Sequence, residues 1–395
     1  MEKVVIIDGA RLPIGKFGGS LKGFKASDMA GMVIEEAVKR SGIKPEDVDQ
    51  LIVGQVGEID EDGFIGRVCG FKGGLPKETI ASSVNRQCAS GLQTIADAVM
   101  NIQTGRADVV VCAGTESLSN LPYYQFESRW GIKMGDRNFK DGVISILTWP
   151  IDGSHNGVSA EKVAEKYNVS RQEQDEYAAR SQELAAKAVE SGRFDDEILK
   201  VELKDRKGNI SYFEKDEGYR EGTTAESLSK LKPAFVEGGT VTAGNSSTLN
   251  DGAAALVVMS ESKAKELGVE PICEIVDFEI AGNEPELFGY APKYSTEKLL
   301  NRLELDVDDV DMYEINEAFA SQTVAVARDL NLNMDTVNIY GGGISLGHPI
   351  GATGAILAVK SIYEFKKTDK KRILVTMCIG GGQGMSMLFQ RYNNN

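Results

Sequence analysis

Four short stretches carry residues that could do chemistry. VNRQCASG, 84–91, sets Cys88 where a strand-like run gives way to a helical one. At a helix N-terminus, free N–H groups and the macrodipole favour a thiolate, which would make Cys88 a nucleophile. The bland alternative is a small buried hydrophobe. GGGISLGHPIGATG, 341–354, holds His348, one of only 2 histidines, in a glycine-dense loop that permits close ligand approach. A histidine so placed suits a general base or an oxyanion donor better than a core filler. MCIGGGQG, 377–384, ends a strand at Cys378, and the glycines after it offer N–H groups to an oxyanion. NEAFA, 316–320, ends another strand with Asn316, which could hold a water or a carbonyl oxygen, and Glu317, which would need a partner if buried. The last two stretches also read as a glycine-rich turn after a core cysteine and as structural turn residues. No GxxxxGK[ST] occurs, and the GxG-like spacing at 341–347 follows no dinucleotide fingerprint.

The elements that must position these residues are written twice. EDVDQLIVGQ (46–55) aligns without a gap on DDVDMYEINE (308–317), pairing Gly54 with Asn316, and CASG (88–91) answers GATG (351–354). Asp49 to Cys88 is 39 residues and Asp311 to Gly351 is 40. A helical stretch and then a strand follow in each case, ADVVVCAGTES and KRILVTMCIGGG. Shared order and spacing define two homologous halves, each an alternating β/α unit. The strand runs are apolar throughout, which predicts strands buried on both faces of a mostly parallel sheet. In SGLQTIADAVMNIQTG, Leu92, Ile95, Ala96, Val99 and Ile102 follow helical spacing, and MAGMVIEEAVKRSG does the same up to a glycine cap. The stretch 119–249 fits neither half. The expected organisation is a first half at 1–118 plus 250–270, an insertion at 119–249 and a second half at 271–395.

Composition excludes several classes. Hydrophobic residues make up 42% and charged residues 26% of the 395-residue chain, the balance of a globular enzyme. A net charge of −15 argues against nucleic acid and anionic membranes as partners, and obliges any small anionic ligand to find a local basic site. The 5 cysteines are odd in number and widely spaced, which fits neither a disulfide framework nor a zinc ribbon. With so few imidazole ligands no metal site is expected. The apolar run Val4–Ile7 is too short for a signal segment, so the expected location is cytoplasmic.

Taken together these stretches resemble the thiolase family nearly end to end, with GTESLSN (114–120), LKPAF (231–235) and TAGNSSTLNDGAA (242–254) in support. The resemblance implies a five-layer αβαβα fold of two duplicated halves, with a loop domain inserted over a coenzyme A site. It implies Cys88 as the nucleophile that becomes acylated, and His348 as its base. His348, with a water held by Asn316, would stabilise the enolate oxygen. Cys378 would move the α-proton, and the backbone N–H groups of Cys88 and Gly380 would form a second oxyanion hole. The expected reaction is reversible, ping-pong Claisen condensation of two acetyl-CoA to acetoacetyl-CoA and CoA. Coenzyme A thioesters are its substrates and there is no cofactor. Arg220, Phe235 and Ser247 fall on coenzyme A contacts, His155 near the acyl end, and Ala318 and Phe319 beside the channel.

Two residues depart from the family. Methionine often follows the loop histidine, where this chain has Asn156, and short-chain members often have methionine where it has Phe288. Bulk at Phe288 suits short chains, hence the expectation of acetoacetyl-CoA over a broad chain-length 3-ketoacyl-CoA thiolase. The GIKMGD segment resembles the loop through which family tetramers associate, implying a homotetramer. A carrier-protein condensing enzyme is disfavoured by Cys378 in its CxGGGxG setting, and a non-catalytic acyl- or lipid-binding relative by the retained cysteines and histidine. Two functional thiols in one pocket also raise a redox switch through a Cys88–Cys378 disulfide.

Overall fold

The computed structural model describes residues 2–393; Met1, Asn394 and Asn395, at the outer ends of the expected domain boundaries, lie outside the described residues. The repeated D-V-D entry has a plain hydrogen-bonding cause. Asp47 and Asp309 each close a short turn by accepting the N–H three residues back, from Lys44 at 2.8 Å and Asp306 at 2.9 Å. Two residues on, Asp49 accepts the N–H groups of Asp108 and Val109, and Asp311 those of Lys371 and Arg372. One carboxylate in each half thus sets the register of a parallel strand pair.

The first half comprises β1 (Val4–Arg11), α1 (Ala26–Ser41), β2 (Gln50–Gly54), β3 (Ile80–Val84), α2 (Ser90–Gln103) and β4 (Val109–Ser117). After helices α3 (Asn156–Lys166) and α4 (Arg171–Glu190) it closes with β5 (Asn250–Ser260). The second half runs β6 (Cys273–Gly282), α5 (Ala291–Arg302), β7 (Met312–Ile315), α6 (Ala320–Asp329), α7 (Thr353–Lys367), β8 (Arg372–Ile379) and β9 (Gln383–Arg391). The strand order is β7-β8-β9-β6-β1-β5-β4-β2-β3. The successions β2-β4-β5-β1 and β7-β8-β9-β6 are therefore the same topology twice. They meet through only two residue pairs, Val5 with Glu274 and Ile6 with Cys273. β3 has a vestigial counterpart, the parallel bridge between Tyr313 and Val337.

The sheet is not mostly parallel, contrary to the sequence expectation. Only β2 with β3, β2 with β4, and β7 with β8 run parallel. β5 and β9 return antiparallel to their predecessors. The apolar runs report burial on both faces, and helices covering both faces bury an antiparallel strand as fully as a parallel one. Alternation along the strands shows those covers. On β4, Val110 and Cys112 face the inner core while Val109, Val111 and Ala113 face the α1 side. On β8, Ile373, Val375 and Met377 face the same inner core while Leu374 faces the α5 side. The inner core holds α2 and α7, giving five layers, α1, half-sheet, α2 with α7, half-sheet, α5 with α6.

The central helices touch backbone to backbone. A Cβ on Gly91 would lie 2.7 Å from Ala355 N, and one on Gly354 2.3 Å from Leu92 N. Among the described residues, 118–249 adds no strand to the large sheet. It is fastened by a buried ion cluster. Arg11 on β1 binds Glu197 at 2.7 Å and Asp216 at 2.7 Å, and Arg193 binds Glu197 and Glu364 on α7, each at 3.0 Å. Removing one member would strand a buried charge. The helix contact yields a stability prediction. Gly354→Ala drives a methyl into backbone that cannot yield, so the urea midpoint should fall by the equivalent of about 2 kcal/mol at unchanged slope. An unaltered midpoint would show that the helices separate freely.

Candidate active site

Cys88 sits between β3 and α2, on a turn held by its neighbours. Asn85 Oδ1 accepts the Gln87 N–H at 3.0 Å, the Arg86 N–H donates to Ser90 Oγ at 2.9 Å, and Ser90 Oγ donates to the Gln87 carbonyl at 2.7 Å. Gln87 takes a left-handed φ of 48°, costly for a residue with a Cβ, immediately before the sulfur. The expectation that the helix start leaves a thiolate is corrected here. Burial dominates and pushes the Cys88 thiol up to about 11, aided by the field of Glu116, although the N–H groups of Gly380 and of Cys88 itself act on the sulfur in the opposite sense. Glu116 is itself buried, pushed up to about 7 by burial, and accepts the Gly351, Gly57 and Val56 N–H groups.

His348 enters from the other half. Its N–H donates to Asn250 Oδ1 at 3.0 Å, and Gly347 before it has φ 117°, where any Cβ would meet the Asn250 amide at 2.5 Å. Its Nδ1 lies 2.6 Å from Thr353 Oγ1, which is itself 3.3 Å from the Pro349 carbonyl. The hydroxyl donates to that carbonyl and accepts from Nδ1–H, which leaves Nε2 as an acceptor. Asn316 Nδ2 approaches Nε2 at 3.4 Å. Burial pushes His348 down to about 4, so the imidazole is neutral.

Asn316 follows β7, and its Oδ1 is buried without a partner. Gln322 on α6 ties the site together, donating Nε2–H to the Asn316 carbonyl at 2.9 Å and accepting the Cys378 thiol proton at 3.3 Å. Cys378 is wholly buried with Phe288, Ala318 and Phe319, and burial and the proximity of Cys88 push its thiol up. All five cysteines are free thiols. Glu317 is the strut under the histidine loop. It accepts from Tyr177 and Ser181, each at 2.7 Å, from Asn338 at 2.9 Å and from the Ile344 N–H at 3.1 Å.

A cavity of about 520 Å³ opens on this cluster. Cys88 and His348 lie on its wall, as do the expected Arg220, Phe235, Ser247 and His155. Phe288, Ala318 and Phe319 line it too. Asn316, Cys378 and Gly380 are not wall residues; they reach the deep end through His348, Gln322 and the Cys88 sulfur. His155 stacks on Phe235 with centroids 5.1 Å apart, and Phe235 meets Phe319 edge-on at 6.1 Å. The Ser247 N–H donates to the Ala318 carbonyl at 2.9 Å. Sequence reasoning missed Lys16, Gln87, Ile144 and Leu147 on the wall, and Thr353, Gln322 and Glu116 behind it. The only signal was polar type at apolar-periodic positions, as in FASQ and GATG. Lys16 and Arg220 are the wall's only Lys or Arg, and no Asp or Glu lines it. Among the described residues no group of three or more His, Cys, Asp or Glu could hold a metal ion, and no helix is long and apolar enough to cross a membrane.

The family comparisons agree with the duplicated fold. The family model for the thiolase N-terminal domain matches residues 4–262 and that for the thiolase C-terminal domain matches 269–391; the chain belongs to the thiolase family and is an enzyme of that class. An acetyl-CoA acetyltransferase of Syntrophomonas wolfei is 42% identical over 396 residues, covering 98% of this chain and 99% of that one. The crystal structure of the Bacillus anthracis acetyl-CoA acetyltransferase superposes with a TM-score of 0.97 at 42% identity, covering 99% of both chains. Human mitochondrial 3-ketoacyl-CoA thiolase in complex with CoA gives 0.96 at 36% identity, covering 99% of this chain and 98% of that one.

Two predictions test the geometry. Thr353→Val removes the acceptor for Nδ1–H and should lower turnover about 10- to 100-fold without unfolding the protein, a share of what a positioned base supplies; unchanged turnover would show that the tautomer is set elsewhere. With the Cys88 thiol near 11 and His348 near 4, the free enzyme holds a neutral pair. Alkylation of Cys88 by iodoacetamide should therefore keep rising from about pH 6 to pH 9 as the thiolate fraction grows. A plateau beginning below neutrality would reveal a thiolate–imidazolium pair instead.

Proposed function

We propose that the protein catalyses the reversible Claisen condensation of two acetyl-CoA to acetoacetyl-CoA and CoA, through an acyl-Cys88 intermediate. The observation that carries this is the meeting, at one cavity, of Cys88 and His348, with the Gly380 N–H on the sulfur and a second thiol behind it. His348 Nε2 takes the Cys88 proton as sulfur attacks the thioester carbonyl. The neutral imidazole and the pair of N–H groups from Cys88 and Gly380 make charge appear only as the reaction proceeds, where preorganised donors act most strongly. The acyl group moves to sulfur, and CoA departs as its thiol, taking the proton of Cys378. A second acetyl-CoA then loses an α-proton to the Cys378 thiolate so formed. Its enolate oxygen is held by His348 and by the water expected on Asn316, whose unpaired Oδ1 supports that assignment. Carbon–carbon bond formation releases Cys88. Thiolysis runs these steps backwards, with Cys378 returning a proton to carbon.

Coenzyme A is a substrate here, not a resident cofactor. A wall with Lys16 and Arg220 and no carboxylate suits its phosphates. A neighbouring pocket shares Gly218, Arg220, Ala243 and Thr248, giving length for the nucleotide end. We read 119–249 as the unit that covers this site. The protein is proposed to be cytoplasmic, and a homotetramer through the exposed apolar segment that includes Trp130, at 87% exposure, and Met134, at 103%. Phe288, only 2% exposed against Ala318 and Cys378, closes the acyl end and favours short chains. A broad 3-ketoacyl-CoA thiolase is the second reading, supported by the apolar wall of Ile144, Ile146 and Leu147.

Thiolysis of 3-ketoacyl-CoA substrates from four to sixteen carbons, with Cys88→Ala as control, tests both readings. A steep fall beyond four carbons is expected, and Cys88→Ala should lose activity at every length. Activity that holds or rises with length would make the second reading correct.

A further inference from the structure

The acyl end of the cavity carries polar groups that an acetyl group does not use. Asn156 and Gln87 both lie on the wall beside Cys88. Neither carboxamide has a hydrogen-bond partner among the described residues. The Asn156 N–H donates to the Leu147 carbonyl at 2.9 Å. Gln87 bonds only through backbone atoms, to Asn85 and Ser90. Both amides approach Gly380. A Cβ built on Gly380 would stand 3.9 Å from Asn156 Nδ2 and 3.9 Å from Gln87 Oε1, and the N–H of that same Gly380 acts on the Cys88 sulfur. Phe288, Ala318 and Phe319 line the same wall. Gln87 moreover keeps a left-handed backbone that a side chain disfavours, at the position that delivers its amide here.

We propose that Asn156 and Gln87 are specificity-determining residues that select a short acyl group bearing a hydroxyl. This rests on the reading of Cys88 as the acylated nucleophile and names the substrate class that site prefers. An alkyl chain would displace water from two amides and give nothing back, whereas a hydroxyl both accepts from one amide and donates to the other. That match needs one amide to present its NH2 and the other its oxygen, as Asn156 Nδ2 and Gln87 Oε1 do beside Gly380. A carboxylate is a poorer fit. The wall's cations stand on other segments, Lys16 near the N-terminus and Arg220 next to the second pocket, and the buried Glu116 adds negative field at Cys88. In thiolysis the Cys88 sulfur bonds to the C3 carbonyl carbon as the C2–C3 bond breaks. C2 takes a proton and leaves as acetyl-CoA. The CoA thiol then takes the hydroxyacyl group, returning its proton to the enzyme.

The test is the steady-state thiolysis of 4-hydroxy-3-oxobutanoyl-CoA against 3-oxopentanoyl-CoA, which carries a methyl in place of the hydroxyl, with acetoacetyl-CoA alongside. The intact enzyme should favour the hydroxylated substrate by about tenfold or more in kcat/KM. Asn156→Met, and independently Asn156→Ala, should cut that ratio by about tenfold, chiefly through the hydroxylated substrate. A ratio near one in the intact enzyme would overturn the proposal. So would an equal loss on all three substrates in both variants, which would make Asn156 a general support of the acyl site. Cleavage of acetoacetyl-CoA with no preference rejects this inference alone; failure to cleave any of the three rejects the acyl-Cys88 reading and this one with it.

Discussion

The active site exists because two helices approach until their backbones touch. Gly91 on α2 and Gly354 on α7 leave no room for a side chain between Leu92 and Ala355, and Gly114 on β4 meets the Gly351 carbonyl with the same closeness. Contacts of this kind tolerate little sliding, because interiors are packed like crystals rather than liquids. Cys88 precedes α2 by two residues and His348 precedes α7 by five. Fixing the helices therefore fixes the thiol against the imidazole across the boundary between halves. Glu116 adds a tie at the same place, one carboxylate accepting backbone N–H groups from both halves.

Duplication supplied two copies of each position, and the halves spent them differently. Gly54 and Asn316 are equivalent. At Gly54 a Cβ would strike the Ser90 backbone at 2.5 Å, so the first half uses that position to seat α2. In the second half the same position carries the amide that reaches His348. The Asp49 and Asp311 clamps set Val109 against Arg372, and counting on from them makes Thr115 the partner of Cys378. One half presents a cysteine at the helix start and keeps its strand end structural. The other half presents a histidine and a second thiol.

Much of this was legible in the chain. The repeat, the helices and the motif residues follow from periodicity and spacing, since those record which side chains face a core. Pairing direction did not, because an apolar run records burial and not the orientation of its neighbour. The state of Cys88 was misread for a related reason. A helix start is visible in sequence, but burial, which outweighs it here, depends on what the rest of the chain lays over the sulfur. Gln322 and Glu116 act through partners far away in the chain, and Thr353 through the loop histidine five residues before it, at positions where their types suggested only ordinary buried polar residues. The Arg11–Glu197–Asp216 cluster was invisible for the same reason, spanning some two hundred residues.

Charge presents a last apparent conflict. The chain carries a net −15, while coenzyme A is itself anionic. Screening resolves it, since in physiological salt exposed charges are felt over only about 8 Å. What a phosphate meets at the mouth is then the local wall, with Lys16 and Arg220 and no carboxylate. The distant acidic surface weakens long-range attraction and so limits encounter more than it limits affinity. Deeper in, the sign of the field reverses, where Glu116 helps keep Cys88 protonated. A bound thioester would thus pass from a cationic mouth, along an aromatic channel, to the buried, protonated thiol of Cys88.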